Sequence, residues 1–155
     1  MWTTDATAET SATPAQVWQH YVQVTRWKHW DHAIEASALD GPFVVGTYGR
    51  LKPAGGPASA FVLTKVESER GFADRTAIPH RRLPLATLAF EHELVPIAKG
   101  TRITHRVRIG GPLGPLFARL IGGKIAAELP VAVRTLASMA ASDDDSRAAV
   151  GPVHA

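Results

Sequence analysis

The sequence predicts an α+β domain in which a curved, seven-stranded antiparallel sheet wraps around a long C-terminal helix, with two short helices after the first strand. Three observations predict it. Apolar residues follow the period of strands from Ile34 to Ile109 and the period of a helix from about Leu113 to Ala140. At about 1.5 Å per residue that helix would span roughly 40 Å, enough to cross a whole sheet. The chain has 155 residues, room for one core, so the helix stripe must be buried against the sheet.

The elements follow in order. Trp2 to Thr10 reads as a polar first strand. Thr13-Pro14 offers an N-cap oxygen followed by a proline at the first helical position, where its missing N–H costs nothing. Val17, Trp18, Tyr21 and Val22 then recur at helical spacing, and a second short helix is expected around Trp27 to Asp31. Six strands follow, separated by Asp40-Gly41-Pro42, Pro53 to Pro57, Glu69 to Gly71, Pro79 to Pro84 and Ala98 to Gly100. The clearest are Leu85 to Val95 and Thr101 to Ile109, where apolar and charged positions alternate as on a sheet with one wet face. Leu113, Leu116, Phe117, Leu120, Ile121, Ile125, Leu129, Val133 and Leu136 make the stripe of the last helix. Gly122, Gly123 and Pro130 are expected to bend it and to form part of a gate. Asp143 to Asp145 put negative charge at the negative helix end, so the domain is expected to cover 1–141 and the tail 142–155 to be disordered.

Composition narrows the function classes. With 45% hydrophobic and 20% charged residues the chain is globular, and without cysteine it has no disulfide framework, thiolate zinc site or cysteine nucleophile. A formal charge of +3 is weak support for a nucleic-acid partner, and none is expected. Neither a leader nor an apolar run long enough to insert in a bilayer is read, so a cytoplasmic address is expected.

Particular residues carry a resemblance to a known family. They are Thr13-Pro14-Ala15-Gln16-Val17-Trp18, Trp27-Lys28-His29-Trp30-Asp31, Leu39-Asp40-Gly41-Pro42, Gly100-Thr101-Arg102-Ile103-Thr104-His105 and Gly111-Pro112-Leu113-Gly114. In this order they resemble the START-like SRPBCC superfamily, in its polyketide cyclase/dehydrase branch with a birch-pollen-allergen-like helix-grip fold. The resemblance implies an apolar cavity between sheet and helix for a polyketide, lipid or other aromatic ligand. It implies no single reaction, since relatives include cyclases, dehydratases, hydrolases and carriers.

Alternation puts Leu88, Phe90, His92 and Leu94 on one face of a strand and Ile103, His105, Val107 and Ile109 on the matching face of its partner. A turn at Ala98 and Lys99 would pair His92 with His105, whereas the alternative registers separate them by two positions; paired, they are two imidazoles suited to proton shuttling or to holding a ligand by hydrogen bonds. Tyr48 and Arg50 share a strand face and would polarise a ligand carbonyl if that face is inward. His92, His105 and Tyr48 are thus the candidate catalytic set for cyclisation or dehydration, which needs no cofactor. Trp30, Arg50, Phe90 and Val107, with Phe117, Leu120 and Ile121 on the helix and Lys124 at its rim, are the candidate ligand contacts. His29 and His32, with Asp31 as an oxygen ligand type, are followed by no third histidine at a metalloenzyme spacing, so no metal is expected, and no serine sits in a nucleophile elbow. Three readings remain: an enzyme of the cyclase/dehydratase type, a non-catalytic carrier, and an interaction module with a filled interior.

Overall fold

Alternation along the first strand, β1 (Trp2–Thr10), turns Trp2, Thr4, Ala6 and Ala8 inward and leaves Thr3, Asp5, Thr7 and Glu9 exposed, in a computed structural model that describes residues 1–150. The first helix, α1 (Pro14–Val22), begins as its cap dictates. The Gln16 N–H donates to Thr13 Oγ1 at 3.2 Å and the Thr13 N–H donates to Gln16 Oε1 at 2.7 Å, satisfying two backbone donors at once. A 3₁₀ helix, Val24–His29, follows, tighter than the α-helical turn expected and ending two residues before Asp31.

Six strands come next: β2 (Ile34–Leu39), β3 (Tyr48–Pro53), β4 (Ser59–Glu67), β5 (Gly71–His80), β6 (Leu83–Ile97) and β7 (Gly100–Gly110). The sheet is antiparallel throughout, in the order β1-β7-β6-β5-β4-β3-β2. Residues that oppose one another across a ladder share a face, so one inward surface runs from Ala6 through His105, His92 and Phe72 to Val66.

The last helix, α2 (Gly114–Val150), packs mainly on β1 and β7 and less on β6. Two expectations change here. Of the segment 142–155, read as a disordered tail, residues 142–150 are helical, and 151–155 lie outside the described residues. Asp143 Oδ2 lies 2.7 Å from His20 Nε2 on α1, a contact that ties this part of α2 to the first helix; with the helix continuing past it, Asp143 no longer stands at the negative helix end. The buried stripe is also narrower than expected. Leu129, Val133, Leu136 and Ala140 are buried, but Leu113, Leu116 and Leu120 are 39%, 51% and 68% exposed. At about 100° per residue, Leu116 and Leu136 end up roughly 160° apart, so the stripe read from sequence joined two faces of one long helix. Gly122 meets the Trp2 ring, where a Cβ would stand 3.0 Å from Cε2, so its role is close packing; nothing stands near Gly123.

Candidate functional site

The closed end of the half-barrel is lined with rings. Trp18 and Tyr21 from α1, Trp27 and Trp30 from the 3₁₀ segment, and Phe43, Phe61 and Phe72 from the sheet side stand with centroids 5.0–6.3 Å apart, mostly edge to face. Polar groups enter this apolar cluster at one place. The Tyr21 hydroxyl is 2.8 Å from His105 Nε2. His105 faces His92 across the β6–β7 ladder, with ring centroids 4.6 Å apart. His92 stacks on Phe72 at 4.0 Å, and its Nδ1, 3.3 Å from the Phe72 carbonyl, donates to it and leaves Nε2 as an acceptor.

Burial keeps these groups uncharged. It pushes His92 down to about 3, the hydrogen bond to Phe72 opposing it weakly. Burial also holds His105 well below the usual imidazole range, with repulsion from His92 in the same sense, and raises the Tyr21 phenol. Near neutral pH the three form a hydrogen-bonding set without net charge.

Two residues of the site were missed in the sequence: Tyr21, read only as part of the first helix's stripe, and Asp74. Asp74 on β5 opposes Leu63 on β4 and Phe90 on β6, so its carboxyl faces inward. It is 7% exposed and bonds to no group among the described residues, and its oxygens are not among the side-chain atoms sealed from solvent, so the carboxyl can be reached from the open side. Burial raises its carboxyl to about 8. The signal was legible: Phe72, Asp74, Thr76 and Ile78 alternate, which puts an acid on an apolar face.

The interior is not uniformly filled. On β7, Ile103, His105, Val107 and Ile109 are all buried, whereas Thr76 and Ile78 on β5 and Phe90 and His92 on β6 keep accessible surface on the same inward face. In place of the expected enclosed cavity, the inward face stays open at Thr76, Ile78, Phe90 and His92, because α2 sits over β1 and β7 and only lightly on β6, while Trp27 covers Phe61 and Phe72 on β4 and β5; this open stretch is the hollow. Where its flank meets the loop before β2, Asp31, His32, Ala33, Ala127, Glu128, Val131 and Ala132 line a depression of about 170 Å³. Burial raises the Asp31 carboxyl to about 6, against the Ala33 N–H that it accepts at 3.1 Å. A second, open depression of about 380 Å³ lies between Val22–Arg26 and Leu39, Gly41 and Phe43.

The structure brings some expected site residues together and separates others. His92 and His105 are neighbours, Phe90 faces the hollow, and Val107 is fully buried beside it. Trp30 is buried, 5.6 Å from His105, with an indole N–H that no acceptor meets. Phe117 and Ile121 are half-buried on the α2 flank, while Leu120 is exposed and Lys124, also exposed, lies 3.8 Å from Glu128. Tyr48 and Arg50 are corrected: both are on the outer face, Tyr48 43% exposed under the Arg81 guanidinium at 5.7 Å. The inward position between them is Gly49, whose missing side chain makes room for the Phe61 ring, so the β3 register cannot turn Tyr48 inward. The outer arginines pair with acids: Arg102 with Glu9 at 3.2 Å, Arg106 with Glu91 at 3.2 Å and Arg108 with Glu91 at 3.5 Å. Among the described residues no cluster of three or more potential ligands could hold a metal, and no helix is long and apolar enough to cross a membrane.

Known proteins share this architecture. A protein from Mesorhizobium loti superimposes with a TM-score of 0.68 at 17% identity, covering 94% of this chain and 99% of its own. One from Thermus thermophilus gives 0.69 at 13% identity, covering 92% and 99%. Ara h 8.0201 gives 0.60 at 11% identity, covering 91% and 98%, and at such identities the likeness is one of fold. No curated protein matches the chain. The family model described as polyketide cyclase/dehydrase and lipid transport matches residues 1–138, which take in the whole sheet, both short helices and α2 through Ser138. On that match the chain belongs to the polyketide cyclase/dehydrase and lipid transport family, and it has the helix-grip fold.

Proposed function

We propose that the protein binds a small, largely apolar molecule in the hollow between α2 and the inward face of β5–β7, and holds it more than it transforms it. The observation behind this reading is the uncharged His92–His105–Tyr21 set at the edge of an aromatic interior. Such groups select and orient a ligand by hydrogen bonds at little electrostatic cost. They are poorly tuned for acid–base work. A histidine that protonates only near pH 3 is seldom the cation needed as a general acid at neutral pH, and it is a weak base. Native mass spectrometry of protein purified from its own host tests retention directly. A co-purifying small molecule is expected, its occupancy falling in His92→Phe and His105→Phe. Unliganded protein that also fails to bind a neutral naphthalene dye saturably would remove the reading.

A second reading, cyclisation or dehydration of a polyketide-like substrate, draws on one contact. The Tyr21 hydroxyl and His105 Nε2 at 2.8 Å form a pair through which a proton can pass. Here turnover of a poly-β-ketone probe should fall in Tyr21→Phe without loss of probe affinity, and no turnover by the wild type leaves binding alone.

A further inference from the structure

We propose that Asp74 anchors an ammonium group, so that the hollow takes a small apolar amine whose body lies on Phe90. This rests on the binding reading above and adds the charge of the ligand. Buried carboxyls are normally paired with a cation or with several hydrogen-bond donors, and Asp74 has neither among the described residues. The inward positions of β4 to β7 hold no lysine or arginine that could move into contact. Three phenylalanines share the inward face around its position instead: Phe72 two residues before it, Phe90 across one ladder, and Phe61 diagonally across the other. Ring faces and a carboxyl both attract a cation, and Phe90 keeps surface that a ligand can reach. The missing partner of Asp74 is thus supplied from outside the chain.

The other titratable groups around the hollow do not compete. His92 and His105 are neutral, as is Tyr21. From α2, Lys124 lies beside Glu128, and Asp31 and His32 stand at the depression on its flank. In the empty hollow Asp74 carries a proton near neutral pH. Binding of an ammonium releases that proton to solvent and leaves a carboxylate–ammonium pair, so affinity is linked to pH through Asp74.

The test uses two isosteric probes, 1-naphthylmethylamine and 1-naphthalenemethanol, titrated calorimetrically into the wild type and into Asp74→Asn. Measurements at pH 6, 7 and 8.5, in buffers of different ionisation enthalpy, count protons released. For the amine and the wild type, affinity is expected to rise by up to about tenfold per pH unit between pH 6 and 7, with about one proton released. At pH 8.5 the amine should bind at least roughly tenfold tighter than the alcohol, as befits a charge-assisted contact. In Asp74→Asn, which thermal melting will show to be folded, both the pH dependence and the preference disappear. Equal, pH-independent binding of amine and alcohol would overturn the anchor and leave the hollow. So would alcohol binding that is lost above pH 8, which would make Asp74 a neutral donor. Failure of both probes to bind would overturn the hollow itself and the anchor with it.

Discussion

Asp74 sets the sharpest energetic expectation at the scale of one residue. In the unfolded chain it ionises near 3.8, whereas in the fold burial raises it to about 8, so between those values the native state holds a proton that the unfolded state lacks. Stability therefore falls as pH rises through that window, by at most about 1.4 kcal/mol per unit from this group. Asp74→Asn removes the titration and keeps the shape. Its advantage over wild type in urea unfolding should be near zero at pH 4 and several kcal/mol at most by pH 8; a constant difference would mean that the carboxyl ionises without penalty. Tyr21→Phe is the complementary case. It deletes the hydroxyl that meets His105 and leaves a buried imidazole nitrogen unpartnered, at a cost of about 1–3 kcal/mol. A variant as stable as wild type, measured the same way, would show that water replaces the phenol.

At the scale of elements, α2 separates two adjacent glycines that look alike in sequence. Nothing within 4 Å would meet a Cβ on Gly123, so Gly123→Ala should gain most of the helix-propensity difference, about 1 kcal/mol. On Gly122 the new carbon would stand 3.0 and 3.1 Å from two atoms of the Trp2 indole, forcing the ring or the helix to move. Gly122→Ala should therefore be the less stable of the two variants by thermal melting, with the altered Trp2 packing visible in near-ultraviolet circular dichroism. Equal melting temperatures would mean that β1 gives way without cost.

For the whole molecule, four buried groups combine into a pH profile. His92 and His105, both depressed, supply stability that is complete above about pH 6.5 and is lost as pH falls toward their folded values. Asp74 and Asp31, both raised, act in the opposite sense, gaining stability as pH falls from about 8 and about 6 toward 3.8. The pairs nearly cancel between pH 6 and 4, so these groups predict a decline above pH 7, a broad shoulder below 6 and a steep loss below 4. Denaturation midpoints from pH 3 to 9 check this, and His105→Phe should soften the acid loss. A midpoint falling steadily from pH 6.5 to 4 would contradict the opposing carboxyls.

Local chemistry was legible in the sequence because it acts between near neighbours. The Thr13–Gln16 cap, the seven strands and the turn at Ala98 and Lys99 follow from hydrogen bonds and steric limits within a few residues. Period-two alternation then put His92 and His105 on one face, and of the registers open to the hairpin the turn at Ala98 and Lys99 is the one that sets them opposite each other. What only the tertiary structure decided needed knowledge of partners distant in the chain. Tyr21 became part of the site because α1 packs against α2 and β6 and brings its hydroxyl to His105, a contact across 84 residues. Tyr48 and Arg50 faced out because the Phe61 ring occupies the inward space at Gly49, which the spacing within β3 does not reveal. The fate of the α2 stripe turned on where the long helix leaves the curved sheet: apolar period marks which residues can be buried, but contact geometry selects the part of the stripe that is, and it left Leu116 and Leu120 in solvent and the hollow open.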